Sequence, residues 1–460
     1  MLGQLFLPEI EELIEARDFV ALRDLLADLE PPDIADLFAD LPPERVAVIF
    51  RLLPRETATA VFGYLPVDMQ ESMLRALGQE QVAAVLNDMA PDDRTALLEE
   101  LPGEVAQRLI GLLTAEERRV AVTLLGYPEE SIGRLMTPDY VAVRKDWTIA
   151  QVFTHMRQVG HDKETLNVVY VADDRGRLID DLRLREVVLA DPDARVADIM
   201  NEQFVALSVN DDQEEAVRAF KKYDRSALPV VDSAGTLVGI VTVDDVLDVA
   251  EQEETEDVQK MAAVQALDAP YLETGFFTMV RKRGTWLSVL FLGETLTASA
   301  MSHFEHEIAA AVVLTLFVPL IISSGGNSGS QASTLIIRAM ALGEVTLGDW
   351  WRIIRREIAG GFMLGALLGL VGLLRIQLWH RFGWADYTDY YYLVGFCVAA
   401  ALLGVVLWGT VVGSMLPFIL RRFGLDPATS SAPFVATLVD VSGLMIYFYS
   451  AAMILRGTLL

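Results

Sequence analysis

The sequence predicts a multidomain membrane protein. It reads as an N-terminal all-α superhelical repeat domain, two α/β units in tandem, an acidic connecting helix and a five-helix α transmembrane domain. Three observations carry that prediction. First, charge and hydropathy are segregated: the 460-residue chain has a net charge of −28 and is 52% hydrophobic, yet residues 271–460 hold 11 acids and 12 bases while residues 1–270 hold 54 acids and 25 bases. Second, a leucine period of twelve residues opens the acidic part. Third, two successive strand–helix patterns close it. An acidic soluble part has been joined to a near-neutral apolar part, and a charge of that sign disfavours nucleic acid as a partner and favours cations.

Residues 1–130 are expected to be the helical array. Leu29, Leu41, Leu53, Leu65, Leu77, Met89, Leu101, Leu113 and Leu125 recur every twelve residues, each followed by a turn such as LPPE, LPRE, MAPD or LPGE. Each unit ends on a large apolar residue, turns with Pro or Gly, and puts an acid in the next first turn, where the helix dipole favours it. Helices this short bury a core only by stacking on their neighbours. The N-terminus, MLGQLFLPEIEELIEARD, lacks the basic flank and apolar core of a signal peptide, so this part is expected in the cytoplasm. The single cysteine, Cys397, lies in an apolar run and provides neither a disulfide framework nor a thiolate metal site.

Residues 131–250 change pattern. The β-branched runs VVYV, LPVVD and LVGIVTV are bounded by Asp/Gly turns, as strands should be. The order strand–helix–strand–strand–helix occurs twice, beginning at LMTP (135–138) and DIMN (198–201), and the second copy ends in Gly239-Ile-Val-Thr242-x-x-Asp245. This pair resembles tandem CBS domains. The resemblance implies contacts from Thr242 and Asp245 to the ribose of an adenine nucleotide such as ATP; a purely structural pair without ligand is the alternative. The first copy has Asp181-Leu-Arg-Leu-Arg in place of that ending.

The run VDDVLDVAEQEETEDVQK contains Asp244, Asp245, Asp248, Glu251, Glu253, Glu254, Glu256 and Asp257 before its first base, Lys260. It lacks Pro and Gly and should be helical, leading into a connecting segment at 251–280. One reading is a solvated acidic face, strained by like charges at i,i+3 and i,i+4. The other is a divalent-cation sensor, with Asp212, Glu214 and Asp224 of the preceding domain adding carboxylate, since Mg²⁺ takes oxygen ligands and keeps several waters.

Residues 281–460 hold apolar runs near 285–303, 308–340, 358–378, 391–418 and 432–455, which read as five spans. Nine bases flank one side (Arg281, Lys282, Arg283, Arg338, Arg352, Arg355, Arg356, Arg421, Arg422) and three the other (Arg375, Arg381, Arg456), placing the N-terminus inside and the C-terminus outside. The second run is interrupted by PLIISSGGNSGSQ (319–331). Two readings apply there: a broken helix whose carbonyls and Asn327 amide face a cation, or a close helix–helix contact through small residues. In FVATLVDVSGLMIYF (434–448), Asp440 has no Lys or Arg between Arg422 and Arg456 to pair with. A carboxylate at that depth costs roughly 2.5–3.5 kcal/mol, which makes a functional role the default. His303 and His306 in HFEHE do not form HExxH, so a zinc protease is not indicated.

The helical repeat, the CBS pair, the acidic helix and the spans with GGNSGSQ (325–331) and PFVATLVDVSG (433–443) occur in that order, and the whole chain resembles the MgtE family of magnesium channels. The resemblance implies a non-enzymatic homodimer in the inner cell membrane that takes up Mg²⁺ and is closed by cytosolic Mg²⁺. Carried over by motif, Asp440 would bind the pore ion, with the Ala436 carbonyl, Gly325 and Asn327 near it. Asp92, Asp212, Glu214, Asp224, Asp245, Asp248, Glu253, Glu256 and Asp257 would form the sensor. The repeat also explains Asp92 as a helix-start acid, with Asp93 beside it; both readings stand. A CBS-regulated anion channel would want basic sites instead of a lone Asp, and a membrane enzyme would need Glu294 or Glu357 as the partner of Asp440.

Overall fold

The structure is a computed structural model and describes residues 2–459 apart from 17, 40, 268–270, 272–273, 385–386 and 388–389, so part of the expected connecting segment at 251–280 lies outside the described residues. The chain forms two compact units, Met1–Glu251 and Gln252–Leu460.

The first unit opens with α1 (Leu2–Ala16), α2 (Phe19–Ala27), α3 (Pro31–Ala39), α4 (Pro43–Phe50), α5 (Arg55–Gly63), α6 (Val67–Ala76), α7 (Gln79–Asp88), α8 (Pro91–Glu100), α9 (Gly103–Ile110) and α10 (Ala115–Leu124). From α3 onward every helix starts twelve residues after the last, in register with the leucine period. The period is a packing rule. Leu41, Leu53, Leu65, Leu77, Met89, Leu101 and Leu113 are all buried in one continuous core, and Leu29 and Leu125 pack against it. Pro42, Pro54, Pro66 and Pro102 stand immediately before helices with extended backbone, where a missing N–H costs nothing. Alternate helices stack, α3 on α5, α5 on α7, α4 on α6 and α8 on α10.

Next come α11 (Ile132–Leu135), β1 (Ala142–Val143), α12 (Ile149–Val159), β2 (Val168–Ala172), β3 (Leu178–Arg183), α13 (Leu184–Leu189), α14 (Val196–Ile199), β4 (Leu207–Ser208), α15 (Gln213–Tyr223), β5 (Ala227–Val231) and β6 (Leu237–Thr242). They make two three-stranded sheets of the same topology, β1–β2–β3 and β4–β5–β6, each with a parallel then an antiparallel pair. The copies match down to their turns. Asp173 accepts from the Arg175 and Arg177 amides at 2.8 Å, and Asp232 does the same with Ala234 and Thr236. Those amide bonds hold both carboxyls below the usual range. Gly176 and Gly235 supply the positive φ each turn requires, and their carbonyls accept reciprocally from the amides of Leu237 (2.9 Å) and Leu178 (3.1 Å), joining the copies.

α16 (Val243–Met261) carries the acidic run. It begins directly at the end of β6 and stops at Met261, so the helix is continuous with the second CBS copy and does not start at 251.

The membrane part contains α17 (Phe276–His303), α18 (Glu305–Ala310), a 3₁₀ segment (Val312–Phe317), α19 (Val318–Ala341), α20 (Trp350–Arg381), α21 (Tyr391–Arg422) and α22 (Ala432–Ile454). Among the described residues four stretches are long and apolar enough to cross a membrane: Val312–Ala341, Leu347–Arg381, Tyr391–Arg422 and Ala432–Ile454. The first expected span, 285–303, falls on α17, which is long enough but diluted by Glu294 and by Thr295, Thr297 and Ser299.

The expected helix break is also corrected. GGNSGSQ lies inside the uninterrupted α19; the irregular backbone is the 3₁₀ segment before Pro319, which occupies the helix start. The glycines serve packing. A Cβ on Gly409 of α21 would lie 2.4 Å from the Gly325 carbonyl oxygen, and one on Gly413 would lie 2.0 Å from that of Gly329. Two small residues four apart on each helix therefore bring α19 and α21 into backbone contact, and Ser328 and Thr410 share a buried hydrogen bond of 2.9 Å beside them. Tyr447 of α22 donates to the Leu314 carbonyl at 2.8 Å, satisfying the 3₁₀ segment internally.

Candidate metal-binding sites

The first candidate site lies in the soluble unit. Helix α8 starts at Pro91, and its first turn presents Asp92 and Asp93. Asp92 is buried, at 8% exposure, and accepts from the Asp93 amide at 3.1 Å. Asp245 neighbours it from the first turn of α16 and Glu164 from the loop after α12, while Asp244 and Asp248 of α16 lie near Asp93. Burial, then the charges of Asp245, Asp93 and Glu164, push the Asp92 carboxyl well above its usual range. Burial likewise raises Asp245 to about 7, although the Thr242 hydroxyl donates to its Oδ2 at 2.5 Å and opposes the shift. Asp93 and Glu164 keep access to water but are closely surrounded; that partial desolvation and the nearby Asp244 charge raise both.

Six carboxyls from three segments thus crowd together with no base in the set. Among the described residues no three such side chains converge tightly enough to hold an ion directly.

Of the sensor residues expected from sequence, Asp92, Asp245 and Asp248 meet here. The others have different surroundings. Asp212 caps α15, accepting from the Glu214 amide at 2.9 Å. Glu214 pairs with Arg218 at 2.5 Å. Asp224 ends α15 in the left-handed conformation. Glu256 pairs with Lys260, which also reaches Asp426 at 2.8 Å in the loop before α22. Glu253 and Asp257 lie farther along α16. Asp93, Asp244 and Glu164 complete the group. Asp93 and Asp244 adjoin expected residues, but Glu164 sits in the unpatterned stretch HDKETLN and carries no sequence signal.

The expected nucleotide residues Thr242 and Asp245 bond to each other, and Asp245 turns into the acidic group. An open cleft lies between the two copies: about 490 Å³, lined by Asn167, Arg183 and Arg185 of the first and Asp224, Arg225 and Ser226 of the second, among others. Arg225 is held by the buried Asp181 at 3.0 Å.

The second candidate site lies in the membrane part. Asp440 is half-buried on α22 and opens, with Ala436 one turn earlier, into a groove of about 880 Å³ shared with α17. The groove is walled by Leu287, Phe291, Leu292 and Pro433 among others, and none of its lining residues is Lys or Arg. Gly325 faces Val405 and Val439 and not Asp440. Its neighbour Gly326 is the one that approaches, since a Cβ there would lie 3.3 Å from the Ala436 Cβ and 3.6 Å from Asp440 Oδ1. Asn327 is exposed on α19, with its amide 3.4 Å from the Ser323 hydroxyl.

Comparison with known proteins agrees with this architecture. Residues 29–130 match the MgtE intracellular N domain, 132–193 and 196–251 match CBS domains, and 318–450 match the MgtE divalent cation transporter. The chain is 42% identical over 351 residues to the magnesium transporter MgtE of Thermus thermophilus, covering 76% of each, and 32% identical to that of Enterococcus faecalis, covering 74% of this chain and 73% of that one. Among solved structures it resembles the cytosolic domain of the Mg²⁺ channel MgtE in complex with ATP, at 39% identity and TM-score 0.51, over 53% of this chain and 99% of that one. It also resembles the soluble part of a magnesium transporter, at 26% identity and TM-score 0.52, over 55% of this chain and 99% of that one. Domain order, motifs and extended identity place the chain in the MgtE family of magnesium transporters.

Proposed function

We propose that this chain forms a homodimeric, Mg²⁺-selective channel of the inner cell membrane that admits magnesium down the membrane potential and closes when cytosolic Mg²⁺ fills the acidic group of its soluble part. The observation that carries the reading is Asp440 at an apolar groove with no basic partner. Two copies across a two-fold axis put two carboxylates face to face, an arrangement costly when empty and matched to a divalent ion. Ala436, in the helix ladder, keeps one carbonyl lone pair for a water of the hydrated ion. Gly326, with no side chain, leaves room for it. An inside-negative potential favours entry of a 2+ ion by about 4.6 kcal/mol per 100 mV.

In this reading α17 is the first of five spans, about 42 Å long at 1.5 Å per residue, with Phe277, Val289 and Leu296 exposed as lipid contact requires. The soluble domains are then cytoplasmic and the C-terminus outside. Mg²⁺ neutralises Asp92, Asp93, Glu164, Asp244, Asp245 and Asp248 together and locks α8 to the start of α16. The far end of α16 bears on the pore through Lys260, which bridges Glu256 to Asp426 ahead of α22. Uptake into proteoliposomes tests the pore: Asp440→Ala is expected to abolish Mg²⁺ influx, and normal conduction by that variant refutes the assignment.

A second reading concerns the arginine-lined cleft between the two CBS copies. Arg183 and Arg185 offer forked donors to phosphate, and a relative's cytosolic domain has been solved with ATP. We infer an adenine nucleotide there and not at Thr242 and Asp245. Calorimetric titration with ATP should show Arg183→Ala weakening binding about tenfold, the worth of one charged contact, with Asp245→Asn unaffected. The reverse pattern would return the site to the second copy.

A further inference from the structure

We propose that Glu294 of α17 is a second cation-facing carboxylate of the conduction path and helps set its selectivity; this rests on the reading of Asp440 as the pore site. Glu294 is the sole acid of α17 (FFTMVRKRGTWLSVLFLGETLTASAMSH). Its position is fixed by the residue before it. A Cβ on Gly293 would lie 2.6 Å from Thr437 Cγ2, so only glycine lets α17 approach α22 this closely. That approach brings Glu294 into the groove that Ala436, Thr437 and Asp440 line, on the wall opposite Asp440.

Nothing in the local packing asks for an acid there. The groove is mainly apolar, and an intramembrane carboxylate is retained only where it is functional or partnered. Among the groove's lining residues the only other charged group is the acid Asp440, which repels Glu294 once both are charged. A hydrated Mg²⁺ resolves the conflict, because its shell of waters can donate hydrogen bonds to two carboxylates on different helices without dehydration. With Glu294 included, each protomer offers two acids, and the dimer four. A denser ring of charge favours a small, strongly hydrated 2+ ion over monovalent ions.

The competing explanation is a structural hydrogen bond between the two side chains, and a charge-neutral replacement separates the two. The full-length protein would be reconstituted in liposomes and influx of Mg²⁺, Ca²⁺ and Na⁺ measured for wild type, Glu294→Gln, Glu294→Asp and Asp440→Asn. Glutamine keeps hydrogen-bonding capacity but removes the charge. Glu294→Gln is expected to lower Mg²⁺ influx about tenfold, as loss of one charged, water-bridged contact should, and to shift Mg²⁺/Na⁺ selectivity; Glu294→Asp should recover most of both. Wild-type influx and selectivity in Glu294→Gln, with Asp440→Asn inactive, overturns the role of Glu294 and leaves the Asp440 site standing. Normal influx in Asp440→Asn with Glu294→Gln impaired removes the Asp440 reading instead. Should Glu294→Gln prove polydisperse, Glu294→Asp decides: an altered selectivity ratio supports the role, an unaltered one overturns it.

Discussion

Asp245 and Asp440 are both half-buried aspartates with acidic neighbours, but they stand in opposite surroundings. Asp245 lies where three segments of a soluble fold meet, among five other carboxyls, several of them open to water. Asp440 lies on one helix in an apolar groove, beside one other acid, with tightly zipped helices behind it. Under the proposed function, one chemical group would serve two tasks through its surroundings. A crowd of carboxylates responds to cation concentration, because its repulsion is relieved only when ions arrive. One or two carboxylates in a confined apolar path can bind an ion without holding it, because too few charges are present to trap it.

The largest expected effects have opposite signs. Asp440→Asn should reduce Mg²⁺ influx about a hundredfold, the worth of losing roughly 3 kcal/mol of charged contact. The triple variant Asp92→Asn, Asp245→Asn, Asp248→Asn should instead keep influx high at Mg²⁺ concentrations that close the wild type, and should remove Mg²⁺ protection of residues 1–251 against proteolysis. If both variants move influx in the same direction, the division into pore and sensor is broken.

A smaller effect separates the two frameworks. Gly413→Leu would drive a side chain into the Gly329 carbonyl, which already lies 2.0 Å from an added Cβ. Such overpacking costs about 3 kcal/mol or more, read as lost monodispersity in detergent, while the isolated soluble part should melt unchanged.

The smallest is a pH dependence confined to the soluble site. Asp245 is pushed up to about 7, whereas an unfolded aspartate titrates near about 4. Between those values the unfolded chain has lost a proton that the folded cluster retains, so metal-free stability should fall as pH rises from about 4 to about 7. Added Mg²⁺ binds the deprotonated form and should restore stability more at pH 8 than at pH 5. Thermal melts of the soluble part in chelator and in Mg²⁺ check this; a metal-free midpoint that rises across that window overturns the assignment of Asp245.

Much of the fold was legible. The leucine period gave the helix starts from α3 to α10, because a residue that must meet the core once per turn of the array cannot drift in spacing. The doubled Asp/Gly turns marked both α/β copies. The site was only partly legible. Asp440 stood out because an unpaired acid in an apolar run is costly wherever it points. Asp92, Asp245 and Asp248 were named, but with Asp212, Glu214 and Glu256, which the structure engages in a cap and in ion pairs. An acidic stretch does not reveal which acids share a face with a distant helix. GGNSGSQ was ambiguous for a similar reason, since the same small residues suit a break or a close contact until the partner helix is known.

The order of domains, the repeat register, the segregation of charge and the one acid of the last span are all legible in the residues alone. These follow from local periodicity and from the cost of placing each residue type in water or lipid. Only the tertiary structure decided that Glu164 joins Asp92 and Asp245, that Gly326 and not Gly325 faces Asp440, and that Glu294 shares its groove. Each of those is a meeting between segments far apart in the chain, and such meetings are set by how whole helices and sheets pack.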